Sequence, residues 1–309
     1  MTMNAITRGE GSLGKHRRRD APGPFALFFD LFKLRIGLVI GFTALAGLVV
    51  APGPAPAAWR TTLLIFAVVA SSAAAGAFNQ YVERDIDVRM ARTRRRPFVT
   101  GRLVHSRRWL VIIALMCGVS VALAGFAANA MAALYTFLGA FVYGVVYTVW
   151  LKRRTPMNIV IGGLAGSFAV LAGAAAVTPG GLGGVPLWLA MVLFLWTPPH
   201  FWSLAIACRA DYQAAGVPML PAVVGDARAA RAVLAATILL VAASLAPALA
   251  GLSWIYAITA LASGAWFLWK SVLLVRDPSP RTAMANFHAS LVQLTLLLSA
   301  AIVDALLLA

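Results

Sequence analysis

The chain alternates between long apolar runs and short polar segments, and the pattern recurs nine times. Most runs are close to the ~20 residues that an α-helix needs to cross a bilayer. Backbone polar groups in lipid must be satisfied within the segment, so such runs indicate transmembrane helices. The sequence predicts an all-α polytopic membrane protein with nine transmembrane helices at about 36–51, 61–80, 110–128, 131–151, 158–178, 186–207, 230–249, 253–275 and 288–308.

Composition supports the same fold class. The chain is 61% apolar and only 12% charged, whereas soluble domains average about 25% charged residues. A soluble globular domain is therefore excluded. Residues 1–24 are polar and basic without an apolar stretch, so we expect a disordered cytoplasmic tail and no cleavable signal peptide. Residues 25–309 then form a single nine-helix domain.

The net charge is +16, and the distribution of this charge along the chain indicates how the chain is oriented in the membrane. With nine spans and a cytoplasmic N-terminus, all but one of the 26 lysines and arginines fall on the inner side, Arg60 being the exception. This is the positive-inside distribution. It predicts a multi-pass protein of the inner (cytoplasmic) membrane whose C-terminus lies outside, and it argues against nucleic acid as a partner.

A row of polar side chains follows the second apolar run. On a helix, Asn79, Glu83 and Asp87 fall at i, i+4 and i+8 and share one face. Such oxygen ligands suit Mg²⁺, which is usually bound through one or two carboxylates plus substrate phosphates. The basic run 92–96 that follows suits phosphate oxygens. The alternative is a salt-bridged helix end in which Asp85 pairs with Arg89.

A second acidic position lies on the same predicted face. Asp211 follows the sixth span much as Glu83 and Asp87 follow the second, and both spans run from outside to inside. This weak internal repeat predicts a second carboxylate site beside the first. Transporters with internal repeats look similar, so the repeat does not define a function.

Several further residues near span ends have two interpretations each. His200 follows two prolines inside the sixth span and is either a functional group or a packed histidine. Tyr143 and Tyr147 share a helix face and either belong to the interfacial aromatic belt or line a cavity for an allylic chain. Lys33 and Arg35 either reach the headgroups or face a phosphate site.

The motifs resemble the UbiA-type intramembrane prenyltransferase superfamily, whose first motif is N-x-x-x-D-x-x-x-D, and within it the protohaem IX farnesyltransferase branch. The resemblance covers about residues 25–305. The T-P-P-H-F-W and D-Y…G-x-P-M-L-P runs are specific to the branch. The matching segments are Asn79 to Asp87 with Met90 to Pro97, Lys152 to Gly163, Trp196 to Trp202, and Asp211 to Pro221.

Some positions depart from the family pattern. Glu83 replaces the middle aspartate, Ala210 stands where an acidic residue often precedes Asp211, and Leu34 replaces a proline. The segment 168–174 lacks the usual proline-containing M-P-P-L-x-G-W sequence. These departures concern the substrate pocket near span five and the second ligand of the second metal site.

The resemblance implies nine helices around a central cavity and a defined reaction. A farnesyl group would pass from farnesyl diphosphate to the 2-vinyl group of haem B, with addition of water, giving haem O and diphosphate in haem A/O biosynthesis. Mg²⁺ would be the cofactor and haem B a substrate. A haem A synthase or a terminal oxidase is a possible partner protein.

The resemblance also implies roles for individual residues. Asn79, Glu83 and Asp87 would hold one Mg²⁺ and Asp211 a second, and these four would be the catalytic set. His200 would contact haem, as an axial ligand or through a hydrogen bond. The other substrate-binding candidates are Arg35, Lys152, Arg153 and Arg209 for the phosphates, Arg84 and Arg92 behind them, and Tyr147 and Tyr212.

Two other functions remain open from the sequence. One is prenyl transfer to an aromatic quinone precursor, which the His200 run and the Met219 loop argue against. The other is a cation-coupled transporter that uses the inner-face carboxylates, which would move solute without releasing diphosphate.

Overall fold

The computed structural model describes residues 23–180 and 183–308, and that part of the chain is helical without strands. The predicted disordered tail, residues 1–24, lies almost wholly outside the described residues. The helices are α1 Pro24–Leu31, α2 Leu34–Val49, α3 Ala58–Val82, α4 Arg84–Asp87, α5 Arg108–Ala127, α6 Ala130–Phe141 with a π-helix Val142–Leu151, α7 Asn158–Gly162, α8 Leu164–Ala175, α9 Gly184–Ala207, α10 Arg209–Ala214, α11 Leu220–Val224, α12 Asp226–Ala243, α13 Ala246–Leu249, α14 Trp254–Arg276 and α15 Pro280–Leu308.

The predicted all-α polytopic membrane architecture is confirmed. Among the described residues, eight helical segments are long and apolar enough to cross a membrane. The first predicted span corresponds to α2, an apolar helix of 16 residues. At 1.5 Å per residue, α2 is about 24 Å long, somewhat less than the ~30 Å hydrocarbon core. The nine expected spans are therefore eight full-length segments and one shorter helix.

The close contact between α2 and α8 depends on glycine. A Cβ atom at Gly47 would overlap the carbonyl oxygen of Val170, and one at Gly173 would overlap the carbonyl oxygen of Ala44. Both obstacles are backbone atoms, which a side-chain rotation cannot move. Small residues that let helix backbones approach are a common basis of helix association in membranes. The two glycines thus set the spacing of α2 and α8.

Two local features shape the long helices. The chain between 142 and 151 is wound as a π-helix, with the Lys152 amide donating to the Tyr147 carbonyl at 2.9 Å. Helix α9 continues through Pro198 and Pro199. Each proline lacks a backbone N–H and so removes one donor from the helical hydrogen bonds, while the helix stays continuous. π-Helical turns are rare and concentrate at functional sites.

Replacing Gly173 by alanine should destabilise the protein. The added methyl forces α2 and α8 apart, and overpacking of this kind typically costs about 1–3 kcal/mol. The measurement is the thermal unfolding of purified protein in detergent. Gly118→Ala on α5 is the matched control, because a Cβ there meets no atom within 4 Å. An equal unfolding temperature for the two variants would show that the close α2–α8 contact does not determine the stability of the protein.

Candidate active site

The predicted polar row is built at the junction of α3 and α4. The spacing suggested one continuous helix, but α3 ends at Val82 and Glu83 lies between the two helices. The i→i−4 bonds nevertheless continue, with the Glu83 amide on the Asn79 carbonyl at 3.0 Å and the Asp87 amide on the Glu83 carbonyl at 2.8 Å. Asn79, Glu83 and Asp87 are each at most 2% exposed. The structure therefore holds all three as buried polar groups along one short stretch.

A basic side chain contacts each of the three. Lys152 Nζ lies 2.5 Å from Glu83 Oε1, and Arg96 Nη1 lies 2.6 Å from Asp87 Oδ2. Arg96 Nη1 is also 3.7 Å from Glu83 Oε2. Buried carboxylates are costly without such partners. We refer to this group as the polar cluster, which comprises Lys33, Asn79, Glu83, Asp87, Arg96 and Lys152.

Lys33 joins the polar cluster from a strained backbone position. Its Nζ donates to Asn79 Oδ1 at 2.5 Å and to the Tyr143 hydroxyl at 3.0 Å. Within the described residues it is the only non-glycine residue in the left-handed region, with φ of 48°. That conformation separates α1 from α2 and directs the ammonium group towards α3. Lysine is disfavoured there, so the contact is made at a local energetic cost.

The π-helix supplies the opposite wall of the polar cluster. Thr148 Oγ1 accepts from Asn79 Nδ2 at 3.1 Å and donates to the Tyr143 carbonyl at 2.8 Å. The rings of Tyr143 and Tyr147 stack with centroids 5.8 Å apart. Both ends of the Asn79 amide are therefore fixed, and its oxygen faces the cationic side of the cluster.

Burial dominates the electrostatics of the cluster. It raises the pKa of Asp87, which the charge and hydrogen bond of Arg96 partly oppose. Burial, together with the positive charge of Arg96, lowers the pKa of Lys33 to about 7. Glu83 Oε2 is buried and makes no hydrogen bond within the described residues. A buried carboxylate oxygen without a donor is one that a divalent cation would satisfy, so these residues fit Mg²⁺ as the sequence suggested.

Asp211 occupies a different position from the polar cluster. Its two carboxylate oxygens accept the backbone N–H groups of Ala91 and Arg92 at 3.1 and 3.2 Å. Tyr212 accepts a hydrogen bond from Arg92 Nη2 at 3.1 Å. Across residues 23–180 and 183–308, no three His, Cys, Asp or Glu side chains converge as a metal-binding group. The observed contacts of Asp211 are those of a residue that holds the 90–92 turn.

Three other basic candidates lie outside the cluster. Arg153 forms a two-pronged ion pair with Asp85, both bonds 2.8 Å, and this pair lowers the pKa of Asp85. Arg209 pairs with Asp226 at 3.0 Å. Arg84 is exposed and borders a surface groove beside the ring of Tyr81. Of the basic residues assigned to phosphates from the sequence, Lys152 alone enters the polar cluster.

A largely apolar cavity of about 550 Å³ opens between the helices beside the cluster. Tyr143 connects the two, because it lines the cavity and its hydroxyl accepts a hydrogen bond from Lys33 of the cluster. Tyr147 is instead packed against Gly162, under the ammonium of Lys152. Glycine and alanine from α6, α7 and α8 form much of the remaining wall. The volume lies within the range of small-molecule sites, which is about 300–1,000 Å³.

His200 lines this cavity with a fixed orientation. Its ring lies between Trp196 and Phe287, with centroid distances of 4.1 and 4.4 Å. Its Nδ1 is 2.7 Å from Ser290 Oγ, which donates its own proton to the Phe287 carbonyl at 2.7 Å. Ser290 must then accept from Nδ1–H, which leaves the lone pair on Nε2. His200 is therefore closely packed and also lines the cavity, which supports the functional interpretation.

Sequence reasoning missed Ser290, included Arg96 only as part of the basic run 92–96, and left Lys33 with two interpretations. Arg96 reaches Asp87 through the turn of residues 88–95, a connection that no periodicity indicates. Ser290 lies 90 positions from His200. The available signals were the basic run for Arg96 and, for Lys33, the interpretation that placed it beside a phosphate site.

Comparison with known proteins assigns a class to this helical architecture and its buried polar cluster. Residues 40–297 match the model of the UbiA prenyltransferase family, so the chain belongs to this family and is a prenyltransferase. It is similar to Protoheme IX farnesyltransferase 2 of Paramagnetospirillum magneticum, with 57% identity over 90% of this chain and 96% of the relative. Protoheme IX farnesyltransferase of Parvibaculum lavamentivorans is 41% identical over 91% and 89%.

Solved structures share the fold at low sequence identity. A structure described for digeranylgeranylglyceryl phosphate synthase superposes with a TM-score of 0.74 at 18% identity, covering 91% of this chain and 98% of that one. A UbiA homologue from Archaeoglobus fulgidus bound to DMAPP and Mg²⁺ gives 0.69 at 16% identity, covering 89% and 99%. These similarities confirm the fold predicted from the motifs.

Removing the Lys152 charge should destabilise the protein strongly. Lys152→Met leaves Glu83 buried without its nearest cation, and breaking a buried pair typically costs about 3–5 kcal/mol. Chemical or thermal unfolding in detergent measures the loss. The double variant Lys152→Met/Glu83→Gln should recover part of it, because no unpaired charge remains.

The matched control is Arg153→Gln, since Arg153 belongs to an exposed ion pair next to Lys152. Exposed pairs contribute at most about 1 kcal/mol. Equal losses for Lys152→Met and Arg153→Gln would contradict the assignment of the Lys152–Glu83 pair as the dominant buried interaction.

Proposed function

We propose that this chain transfers a farnesyl group from farnesyl diphosphate to the 2-vinyl group of haem B, with addition of water, giving haem O and diphosphate. The observation that carries the proposal is a buried polar cluster at the edge of an apolar cavity, joined through Tyr143. One part suits a diphosphate and the other a polyisoprenoid tail. The similarity to proteins named protoheme IX farnesyltransferase supports haem as the acceptor.

Asn79, Glu83 and Asp87 would hold Mg²⁺, which when bound stabilises negative charge on the diphosphate. The unsatisfied Glu83 Oε2 supports this assignment. Asp211 stays a candidate for a second ion, and it would have to give up its contacts with the 91 and 92 amides to bind one directly. The UbiA homologue from Archaeoglobus fulgidus was solved with Mg²⁺, which supports a metal-dependent reaction.

The cations of the polar cluster bind the leaving group. Arg96 and Lys152 contact the carboxylates of Asp87 and Glu83, and Lys33 contacts the neighbouring amide oxygen of Asn79. When the C1–O bond of the allylic diphosphate breaks, negative charge develops on the phosphate oxygens, and preformed cations stabilise it. Because these side chains are already held in place, little reorganisation accompanies bond breaking.

The cavity protects the carbocation that remains. Its wall is mostly apolar, so water is largely kept from the allylic cation until the acceptor reacts. The Tyr143 ring faces this space and can stabilise positive charge. The vinyl carbon of the acceptor then forms the new C–C bond, and water adds to the cation left on the acceptor.

His200 is the residue that we assign to the acceptor. His200 lines the cavity, and Nε2, which carries the free lone pair, is the atom able to contact haem, as a ligand or a hydrogen-bond acceptor. Ser290 and the two flanking rings hold that atom in one orientation. Orienting partners of this kind are typical of histidines that bind metal centres.

We also propose the orientation derived from the charge distribution. The polar cluster and the basic loop 88–107 would face the cytoplasm, where the positive-inside rule places them. The reaction would then occur at the inner face of the cytoplasmic membrane, where a water-soluble diphosphate can leave.

The test is prenyl transfer by the purified chain in lipid nanodiscs. Farnesyl diphosphate with haem B should give haem O and diphosphate in a reaction that EDTA abolishes and Mg²⁺ restores. Asp87→Asn should lower kcat at least about 100-fold, because it removes charge from the group proposed to bind metal. Mass spectrometry of the pigments and a diphosphate assay measure both products.

Asp85→Asn is the matched control, since Asp85 is an exposed carboxylate two positions from Asp87. It should retain kcat within about threefold, as expected for a surface ion pair. Product from 4-hydroxybenzoate but not from haem B would assign the enzyme to quinone precursors instead. Solute flux without diphosphate release would indicate a transporter.

A further inference from the structure

Two arginines lie at the edge of the cavity and take no part in the polar cluster. Arg35 and Arg92 both line the cavity, and among its lining residues they are the only ones with a permanent charge. In the described part of the chain, neither forms an ion pair with a carboxylate. Three other cations already serve the proposed diphosphate site. These two guanidinium groups are therefore available to a different anion.

Arg92 is held in place by its surroundings. Its backbone amide donates to Asp211 Oδ2 at 3.2 Å, which fixes the turn that carries it. Its Nη2 donates to the Tyr212 hydroxyl at 3.1 Å, and its guanidinium carbon lies 5.8 Å from the Tyr212 ring centroid. A guanidinium has five N–H donors, so most remain available. A planar donor set held in advance suits two-pronged recognition of a carboxylate.

Arg35 occupies the first turn of α2, on another wall of the same cavity. The neighbouring basic residue, Lys33, is already committed to Asn79 and Tyr143. Arg35 is exposed and carries no hydrogen bond from its side chain within the described residues. The two arginines thus approach the cavity from α2 and from the 90–92 turn, while Asp and Glu are absent from the described lining.

We infer that Arg35 and Arg92 bind two carboxylate groups of the acceptor, whose apolar body lies in the cavity. This inference rests on the proposed function, since haem B is an apolar macrocycle with two propionates. A buried macrocycle requires its anionic groups to be paired, and this cavity offers two cations for that purpose. A neutral acceptor or a monocarboxylate leaves at least one arginine unpaired. The two residues therefore determine which acceptors are accepted.

The experiment compares haem B with its dimethyl ester, in which both propionates are neutral. In the nanodisc assay, Arg92→Gln and Arg35→Gln should each raise the KM for haem B about tenfold or more, as expected for loss of a charged hydrogen bond. Neither should change the KM for farnesyl diphosphate by more than about twofold. With the dimethyl ester, the variants and the unmodified protein should give the same KM, because there is no carboxylate left to bind.

Arg95→Gln is the matched control, an exposed arginine in the same loop that does not line the cavity. It should leave both KM values unchanged, which separates a local contact from the general positive charge of the loop. Arg92→Lys should recover only part of the haem B affinity, since an ammonium group cannot reproduce a two-pronged contact.

Four results would overturn the inference. A raised KM for farnesyl diphosphate with an unchanged KM for haem B would assign the arginines to the phosphates. An equal rise in the KM for haem B and for its dimethyl ester in the variants would show that the two arginines affect only the shape of the site. Normal farnesylation of haem B by both glutamine variants would reject the carboxylate contact and leave the proposed function intact, whereas failure of the unmodified protein to farnesylate haem B would reject both.

Discussion

The site depends on keeping two carboxylates buried at the edge of the membrane. Glu83 and Asp87 are almost fully shielded, and ions in such positions are tolerated only with close partners. Lys152 and Arg96 supply those partners from the π-helix end and from the basic loop. The α3–α4 junction, the end of the π-helix and the basic loop 88–107 therefore meet at these carboxylates. The need to pair the buried charges thus fixes the position of the loop.

The π-helix has a specific consequence for the same group. Its wider winding brings the Tyr143 carbonyl to Thr148, and Thr148 in turn orients the Asn79 amide. The π-helix ends at Leu151, and the next residue, Lys152, forms the ion pair with Glu83. Side chains that an α-helix would distribute around its surface are therefore collected on one wall. The π-helical winding therefore positions Thr148 and Lys152 for their contacts with Asn79 and Glu83.

The sequence was informative where a feature repeats along the chain. Apolar runs predicted the helical segments because every span obeys the same solvent requirement, and α2, predicted at about 36–51, has the 16 residues that this range implies. The i, i+4 spacing indicated the row from Asn79 to Asp87, although the helix is interrupted at Glu83. The sequence motifs identified the family, which the match of residues 40–297 to the UbiA prenyltransferase family confirms.

Contacts between distant segments could not be predicted in the same way. No local rule pairs Arg96 with Asp87 across a turn, or Ser290 with His200 across two helices. Arg153 and Arg209 have the same chemistry as Lys152, yet the fold pairs them with Asp85 and Asp226. Which cation reaches the buried carboxylates is decided by three-dimensional packing, and composition carries no information about it.

Lys33 combines a strained backbone with contacts that only its side chain can make. A glycine there would adopt the left-handed backbone without strain, but the buried Asn79 oxygen and the Tyr143 hydroxyl would lose the ammonium group that donates to them. A substitution chosen from backbone geometry alone would therefore relieve one energetic cost and create another. Under the proposed function, the same substitution would also remove one of the cations assigned to the leaving group.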